Sequence, residues 1–586
     1  MGAKTVRVAA VQFAVGADVE KNLETCLTWI DKAAETGAKL IVLPEFCNHL
    51  SWYDDKAHCH RVSVDVSGPF LSAIAERARR HQTFVVVNCT LRRDDGRATG
   101  TSLLYSPAGE LLGTSDKQVL MGHENDYLER AREASKVIDT PIGRLGLYAC
   151  MDGVIMETPR CLALSGAQIL CNSLNSFAPD EASLHIPVRA PENRVFVVAA
   201  NKVGPLIPEF LLDPVSQATS IPKEFLFGAG ESQIVAPDGR VLAKASRTEP
   251  GVVFADIDVE EADKKARPDG TDVFASRRPE LYAPIASSAA AVVSGAPAEK
   301  VVAAVVQPSR DGAAALADAV ASVVEAARRG AELIVLPELV SFEGARIGGS
   351  VADAIAQSHE VLRALQVACG DAHRATGVDC VVVTSVVQGG AGGASESRVA
   401  SGAEHVGVVV GRDGVRHRQA QLHRNARHPW ARLGSGVSVA TLPWGKLGVV
   451  VGDDALYPET FRLLALAGAE VVAVPTHVVE RWEVETGLVE RAAENRLCLA
   501  AATRVTASGE SLLATLWKDF TLMTAWESRP FDGQITFPRL TRAERTPGIT
   551  VAELSPAVTH NKTVSHRTHL VDGRPFALAS AITRPQ

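Results

Sequence analysis

No stretch of this chain approaches the roughly 20 consecutive apolar residues that a membrane-spanning helix needs, so a membrane protein is not expected. None of its ten cysteines stands in a C-x-x-C pair, and ten thiols in 586 residues make no small disulfide framework. Basic clusters and charged tails are also missing. The formal charge of −8 is spread along the chain, which gives no reason to expect nucleic acid or an anionic membrane as partner. The N-terminal "MGAKTVRVAAVQF" shows no cleavable signal pattern and runs directly into a strand-like segment, so a cytoplasmic location is expected. His58, Cys59 and His60 offer the one dense group of soft donors, and their spacing suits no standard metal site. What remains is an ordinary globular composition, 46% apolar and 22% charged.

The chain states its pattern twice. "VRVAAVQF" (Val6 to Phe13) returns as "KVVAAVVQP" (Lys300 to Pro308), "AAETGAKLIVLPEF" as "AARRGAELIVLPEL", and "RAPENRVFVVAAN" as "RAAENRLCLAAAT". A period near 300 residues is far too long for a solenoid and marks two fused copies of a whole domain. The Ala/Ser/Gly/Pro segment between them has little reason to fold alone. The expected organisation is therefore a first domain over 1–283, a linker over 284–299 and a second domain over 300–586.

Within each copy, short β-branched runs ("KLIVLP", "TFVVVNC", "VFVVAAN") alternate with helical stretches such as "EKNLETCLTWIDKAAETG", which ends on a glycine. Such alternation predicts an α/β fold with helices layered on sheets. "GESQIVAPDGRVLAKA" predicts a hairpin around Asp238-Gly239.

Four residues of the first copy stand out for chemistry: Glu45 after the strand "LIVLP", Lys117 in "GTSDKQVLMGHE", Glu124 seven residues later, and Cys150 at the end of "LGLYA". A thiol with a free pKa near 8.5 is mostly protonated at neutral pH and becomes an effective nucleophile beside a base or a cation. Singly, each residue reads more readily as core or as half of an ion pair; the four in this order read otherwise. The set resembles the nitrilase, or carbon-nitrogen hydrolase, superfamily, over nearly all of copy one from "VAAVQF" to "SRRPELYAPI". That resemblance implies a Glu-Lys-Cys triad with Glu45 as base, Lys117 stabilising thiolate and oxyanion, and Cys150 as nucleophile. It also implies that the Met151 N–H completes the oxyanion site and that Glu124 orients Lys117 or the substrate nitrogen. Its fold implication is an α-β-β-α four-layer sandwich for each copy, the two packed as an intramolecular pseudo-dimer, with any further homo-oligomer left open. Cys47, His49 and His123 lie near these motifs but are expected to pack or face solvent.

Copy two keeps Glu338, but in a constant-offset alignment Lys117 meets Gln419, Glu124 meets Ala426 and Cys150 meets Gly452. It is expected to be non-catalytic and to serve as scaffold before regulator. Glu157/Glu459, Arg160/Arg462 and "ENR" occur in both copies and are read as structural. The expected activity is hydrolysis of a small amide or N-carbamoyl compound through a Cys150 thioester, with water as second substrate and no cofactor or metal. The ending "CMD", where nitrile-hydrolysing members typically read Cys-Trp-Glu, favours amides over nitriles. Nitrile hydrolysis or acyl transfer with the same triad is the alternative, and a non-enzymatic scaffold ranks last. Arg189 is a candidate substrate-binding residue. The Pro-rich stretch 202–227, with Leu206, Phe210, Leu211 and Phe225, is expected to cover the substrate.

Overall fold

The computed structural model describes residues 5–293, 295–389 and 402–585; Ser294, inside the expected linker, lies outside them. The chain forms two compact units, and neither follows the repeat boundaries. The first is Met1–Lys264 with Asp519–Phe537 and Thr563–Ile582, and the second is Lys265–Lys518 with Pro538–Lys562 and Thr583–Gln586.

The first unit begins with β1 (Thr5–Gln12), whose apolar run Val8–Val11 is buried on both faces, as a strand between two layers requires. Its neighbours are β2 (Leu40–Val42), β3 (Phe84–Arg92), β4 (Ala98–Tyr105) and β5 (Leu111–Asp116), in sheet order β12-β1-β2-β3-β4-β5, with β12 (Gly251–Asp258) at the other edge. The second sheet has the order β11-β10-β9-β8-β7-β6. Its strands are β6 (Ile138–Thr140), β7 (Gly143–Ala149), β8 (Ile169–Ser173), β9 (Phe196–Ala200), β10 (Gln233–Val235) and β11 (Val241–Lys244). Alternation along β1 divides the core. Val8 and Ala10 join Leu40, Val42 and Val86 against Leu145, Leu147, Ile169 and Val198 of the second sheet. Ala9 and Val11 face the other way, with Ile41 and Val85, onto Cys26 and Ile30 of helix Val19–Glu35 and Leu71 and Ile74 of helix Pro69–His81. Helix Glu157–Leu164 covers the second sheet, where Leu162 lies against Gly146. Each unit has two six-stranded sheets, and the α-β-β-α layering holds.

Local signals act as their chemistry requires. Gly37, at φ +83°, closes helix Val19–Glu35, and Asp18 caps its start by accepting from the Glu20 and Lys21 amides. Gly239, at φ +89°, turns the chain between β10 and β11, whose pairing is antiparallel. Among the described residues no helix is long and apolar enough to cross a membrane.

The second unit repeats the plan, with Val301–Gln307 paired in parallel to Leu333–Val335 and antiparallel to Gly548–Leu554. Each unit also takes in chain from the other repeat. In the first, Phe520, Leu522, Phe531, Ile535, Val564 and Leu570 cluster with Val119, Met151, Val154 and Ile155. In the second, Arg277 donates to Glu459 at 3.2 Å and Arg267 to Glu483 at 2.5 Å. Copy-two residues thus belong to the core around Cys150. Leu570→Ala, more than 400 positions from Cys150, should destabilise the first unit by about 2–5 kcal/mol. The check is the guanidinium chloride midpoint at which ammonia release from an amide is lost; a change under about 1 kcal/mol would show that this packing does not support the unit.

Candidate active site

Four chain segments bring the candidate residues together at the carboxyl ends of strands, where open α/β sheets place their ligands. Glu45 follows β2, Lys117 follows β5 directly, Glu124 opens the short helix Glu124–Tyr127, and Cys150 follows β7 directly. The loops are cross-tied. The Glu45 amide donates to Leu174 O at 3.1 Å, and the Cys150 amide to Ser173 O at 3.0 Å. Asp152 accepts from the Gln118 and Val119 amides at 3.0 and 2.8 Å, fixing Lys117's segment to the turn that carries Cys150. Cys150 itself has φ +47°, ψ −110°, a conformation that costs a non-glycine residue of order 1–3 kcal/mol.

Lys117 Nζ lies 2.8 Å from Glu45 Oε1 and 2.8 Å from Glu124 Oε2, and all three side chains are buried. Glu124 Oε2 also accepts from the Met121 amide at 2.9 Å, while neither Glu45 oxygen accepts a well-directed hydrogen bond among the described residues. Burial pushes the Glu45 carboxyl up to about 7, against the pull of Lys117. For Lys117, burial acts against the charge, but Glu124 and Glu45 outweigh it and hold the ammonium above its ordinary value. Burial and the Glu45 charge raise the Cys150 thiol well above its ordinary value, with Lys117 opposing. The resting site therefore holds a neutral thiol, a carboxyl that titrates near neutrality and a fixed cation. Such a set can move the thiol proton to Glu45 as sulfur attacks an electrophile, and Lys117 can balance the negative charge that develops.

The cavity beside Cys150 has a volume of about 70 Å³. Its apolar wall includes Met151, Val154, Phe177 and Ala178, together with Ile535 and Val564 from the second repeat. Asp180, Glu181 and His185 supply its polar side, and Asp180 accepts from the Ile535 and Thr536 amides at 3.1 and 2.8 Å. Glu181 and His185 bound a single π-turn, Glu181–His185, a local irregularity often found at functional sites.

Two expectations need correction. Arg189 does not line the cavity: its guanidinium donates to Gly153 O at 2.8 Å, Val154 O at 3.0 Å and Glu192 at 2.8 Å. It braces the turn after Cys150. Nor do residues 202–227 line the cavity. Phe225 packs on Phe531 with ring centroids 5.4 Å apart, and Phe210 is 76% exposed. Sequence reasoning also missed Lys202. This ammonium is fully buried, has no hydrogen-bond partner among the described residues and lies 5.9 Å from the Phe46 ring, whose centroid is 5.4 Å from Lys117 Nζ. Burial lowers its pKa to about 8. Its signal in the sequence was a charge directly after the strand run "VFVVAAN", matched by Arg504 at the same place in copy two.

In the second unit the counterpart positions are legible from hydrogen bonds. Asp454 accepts from the Leu422 and His423 amides, as Asp152 does from Gln118 and Val119, so Lys117 corresponds to Gln421 and Glu124 to His428. The constant-offset partners, Gln419 and Ala426, are displaced by two residues. Gly452 keeps the positive φ, +54°. A Cβ there would lie 2.1 Å from Glu338 Oε1, so the glutamate carboxylate occupies the space a nucleophile would need. Glu338 accepts from Arg427 at 2.7 Å and pairs with His428 at 3.0 Å. Burial would raise its pKa, but Arg427 and the two neighbouring histidines hold it well below the ordinary value.

A buried thiol, carboxylate and ammonium gathered where two facing sheets end is the layout of a cysteine-dependent hydrolase. The sequence model of the family described as Carbon-nitrogen hydrolase matches residues 7–267 and again 301–530, and the chain belongs to that family. It is an enzyme acting on carbon–nitrogen bonds other than peptide bonds. A nitrilase of Pyrococcus abyssi is 28% identical over 264 residues, covering 45% of this chain and 93% of that protein. An omega-amidase of Bos taurus is 27% identical over 290 residues, covering 47% and 97%. The crystal structure of an amidase from Nesterenkonia sp. matches at 23% identity and a TM-score of 0.38, over 45% of this chain and 94% of that one.

The backbone at position 150 yields a test separable from activity. Cys150→Ala keeps the Cβ and its strained φ, whereas Cys150→Gly removes both, so the glycine variant should be the more stable of the two by about 1 kcal/mol. Guanidinium unfolding followed by circular dichroism measures the difference, and equal stabilities would mean that the φ of +47° carries no cost.

Proposed function

We infer that the first unit hydrolyses small uncharged amides through a thioester on Cys150. The observation that carries this is the buried Glu45–Lys117–Glu124 array beside a thiol that opens on a cavity with neither Lys nor Arg among the described residues lining it. Glu45 takes the thiol proton while sulfur attacks the carbonyl carbon. Lys117 and the Met151 N–H stabilise the resulting oxyanion. On collapse the C–N bond breaks, Glu45 returns its proton to the leaving nitrogen, and ammonia departs. Water, deprotonated by Glu45, then attacks the thioester, releasing the acid and restoring the thiol. Glu124 anchors Lys117. The second repeat, lacking a nucleophile at Gly452, takes no part in bond making; its Ile535, Thr536 and Val564 serve as wall.

Substrate choice follows from charge. The cavity presents Asp180 and Glu181 and, among the described residues lining it, neither Lys nor Arg. A substrate bearing its own carboxylate would be desolvated there beside two acidic side chains, with no Lys or Arg to pair it. Ammonia release from propionamide and butyramide should therefore exceed that from succinamate, N-carbamoyl-β-alanine and propionitrile by about 100-fold in kcat/KM. Cys150→Ala should abolish it and Glu338→Gln should leave it. A preference for the carboxylate-bearing substrates would overturn the substrate reading; turnover by Cys150→Ala would overturn the mechanism.

The pH profile tests the base. With Glu45 pushed up to about 7, kcat/KM should fall as pH drops through that value, because the protonated carboxyl cannot accept the thiol proton. Lys202 is a cation whose charge lowers the Glu45 pKa. Lys202→Met should accordingly move the acid limb to higher pH. A limb that stays in place or moves down would separate Lys202 from the base.

A further inference from the structure

The space that corresponds to the catalytic centre in copy two has been refurnished. Gln421 stands where Lys117 does, His428 where Glu124 does, and His405 where Gly100 does, since the Gln421 amide donates to His405 O as the Lys117 amide donates to Gly100 O. In copy one a Cβ at Gly100 would come within 3.0 Å of the Phe46 ring; copy two has Leu339 in place of Phe46, and the imidazole of His405 has room. The two histidines converge on the retained glutamate. His428 Nε2 is 3.0 Å and His405 Nε2 3.8 Å from Glu338 Oε1, and one donor atom from each of the three residues lies within 4.8 Å of the others. All three side chains are buried.

We propose that Glu338, His405 and His428 form a binding site for a divalent transition metal of the zinc class in the second unit. Ligand bonds of about 2.0–2.2 Å in tetrahedral array put neighbouring donor atoms somewhat over 3 Å apart, and the 3.0 and 3.8 Å between Glu338 Oε1 and the two imidazoles bracket that spacing. Two imidazoles and one carboxylate with a fourth position open is a zinc-type donor set. The surrounding hydrogen bonds orient these donors. His405 Nδ1 faces Gln421 Oε1 at 2.8 Å, and the Gln421 amide nitrogen donates to His423 O at 2.6 Å. The Nδ1–H of His405 is therefore the donor, which leaves Nε2 unprotonated and able to ligate; it accepts there from Ser385 Oγ at 2.8 Å, a bond that a metal would displace. Arg427 holds Glu338 Oε2, the oxygen turned away from His428, at 2.7 Å and is itself tied to Asp453 at 2.6 Å. His428 Nδ1 has no hydrogen-bond partner among the described residues, so the proton now on Nε2 can move there when Nε2 takes a metal. His428 also borders a cleft of about 830 Å³ lined by residues from the segments 275–280 and 424–433.

The test uses the full chain, stripped with a chelator, re-equilibrated with zinc chloride under reducing conditions and assayed for bound metal by mass spectrometry. About one zinc per chain is expected in the native protein and in Cys150→Ala, and about a tenth or less in a His405→Gln/His428→Gln variant. Cobalt loading should give visible d–d bands without the thiolate charge-transfer band of a cysteine site, and His428→Gln should weaken them. Circular dichroism and Cys150-dependent ammonia release verify that the variant is folded; should the double variant fail that check, the single His428→Gln variant takes its place. Failure of the native protein to retain zinc would overturn the proposal and leave the cluster as a closed hydrogen-bond network. Zinc retained in full by a folded variant would overturn it equally, by placing the metal elsewhere.

Discussion

One buried ammonium shared between two carboxylates sets the terms for the rest of this site. Lys117 cannot be taken out of water alone, and Glu45 and Glu124 cannot both be ionised side by side without it. The three form a unit whose geometry is fixed from several directions: β5 delivers Lys117, the Met121 amide orients Glu124, and Asp152 ties the Lys117 segment to the turn bearing Cys150. Burial raises the Glu45 carboxyl, and Lys117, shared with Glu124, offsets that only in part, so Glu45 titrates at about 7.

The second unit shows the same constraint from the other side. With Gln421 in place of the ammonium, the retained glutamate would be a buried, unpaired anion, a situation that costs several kcal/mol. The chain supplies Arg427 to one oxygen and His428 to the other, and the carboxyl becomes a permanent anion instead of an acceptor near its midpoint. The loss of lysine thus forces the arrival of other cations or donors. The two sites differ less by deletion than by substitution of one charge-compensation scheme for another.

Much of this was legible in the residues, and the failures are informative. The apolar runs of β1, β2 and β8 and the turn glycines Gly37 and Gly239 announce their own conformations, and the order Glu45, Lys117, Cys150 survives because each residue directly follows or closely trails a strand. The counterpart of Lys117 was misplaced because 33 residues separate Lys117 from Cys150, but only 31 separate Gln421 from Gly452. Two residues have gone from the connection between sheets, where deletions are tolerated. A shift of two leaves a strand residue on the same face, and it exchanges one glutamine for another, so no pattern signals it. Arg189 misled for a different reason: a cation in a repeated motif can spend its donors within the fold, as it does on Gly153 O, Val154 O and the Glu192 carboxylate. The contributions of Ile535 and Val564 depend on contacts across most of the chain length, which local periodicity does not encode.

Gly452 gathers these threads. The turn after the strand has a positive φ in both repeats; cysteine bears that strain at 150, and glycine meets it freely at 452. Once the side chain is gone, the Glu338 carboxylate fills the space, so that even a Cβ at 452 would lie 2.1 Å from Oε1. Restoring a nucleophile would require Glu338 to withdraw from Arg427 and His428, leaving a guanidinium buried with only part of its compensation. The missing thiol is therefore not a single vacant position. It is one end of a rebuilt polar core, in which replacing the glycine alone would break the pairing that made its presence possible.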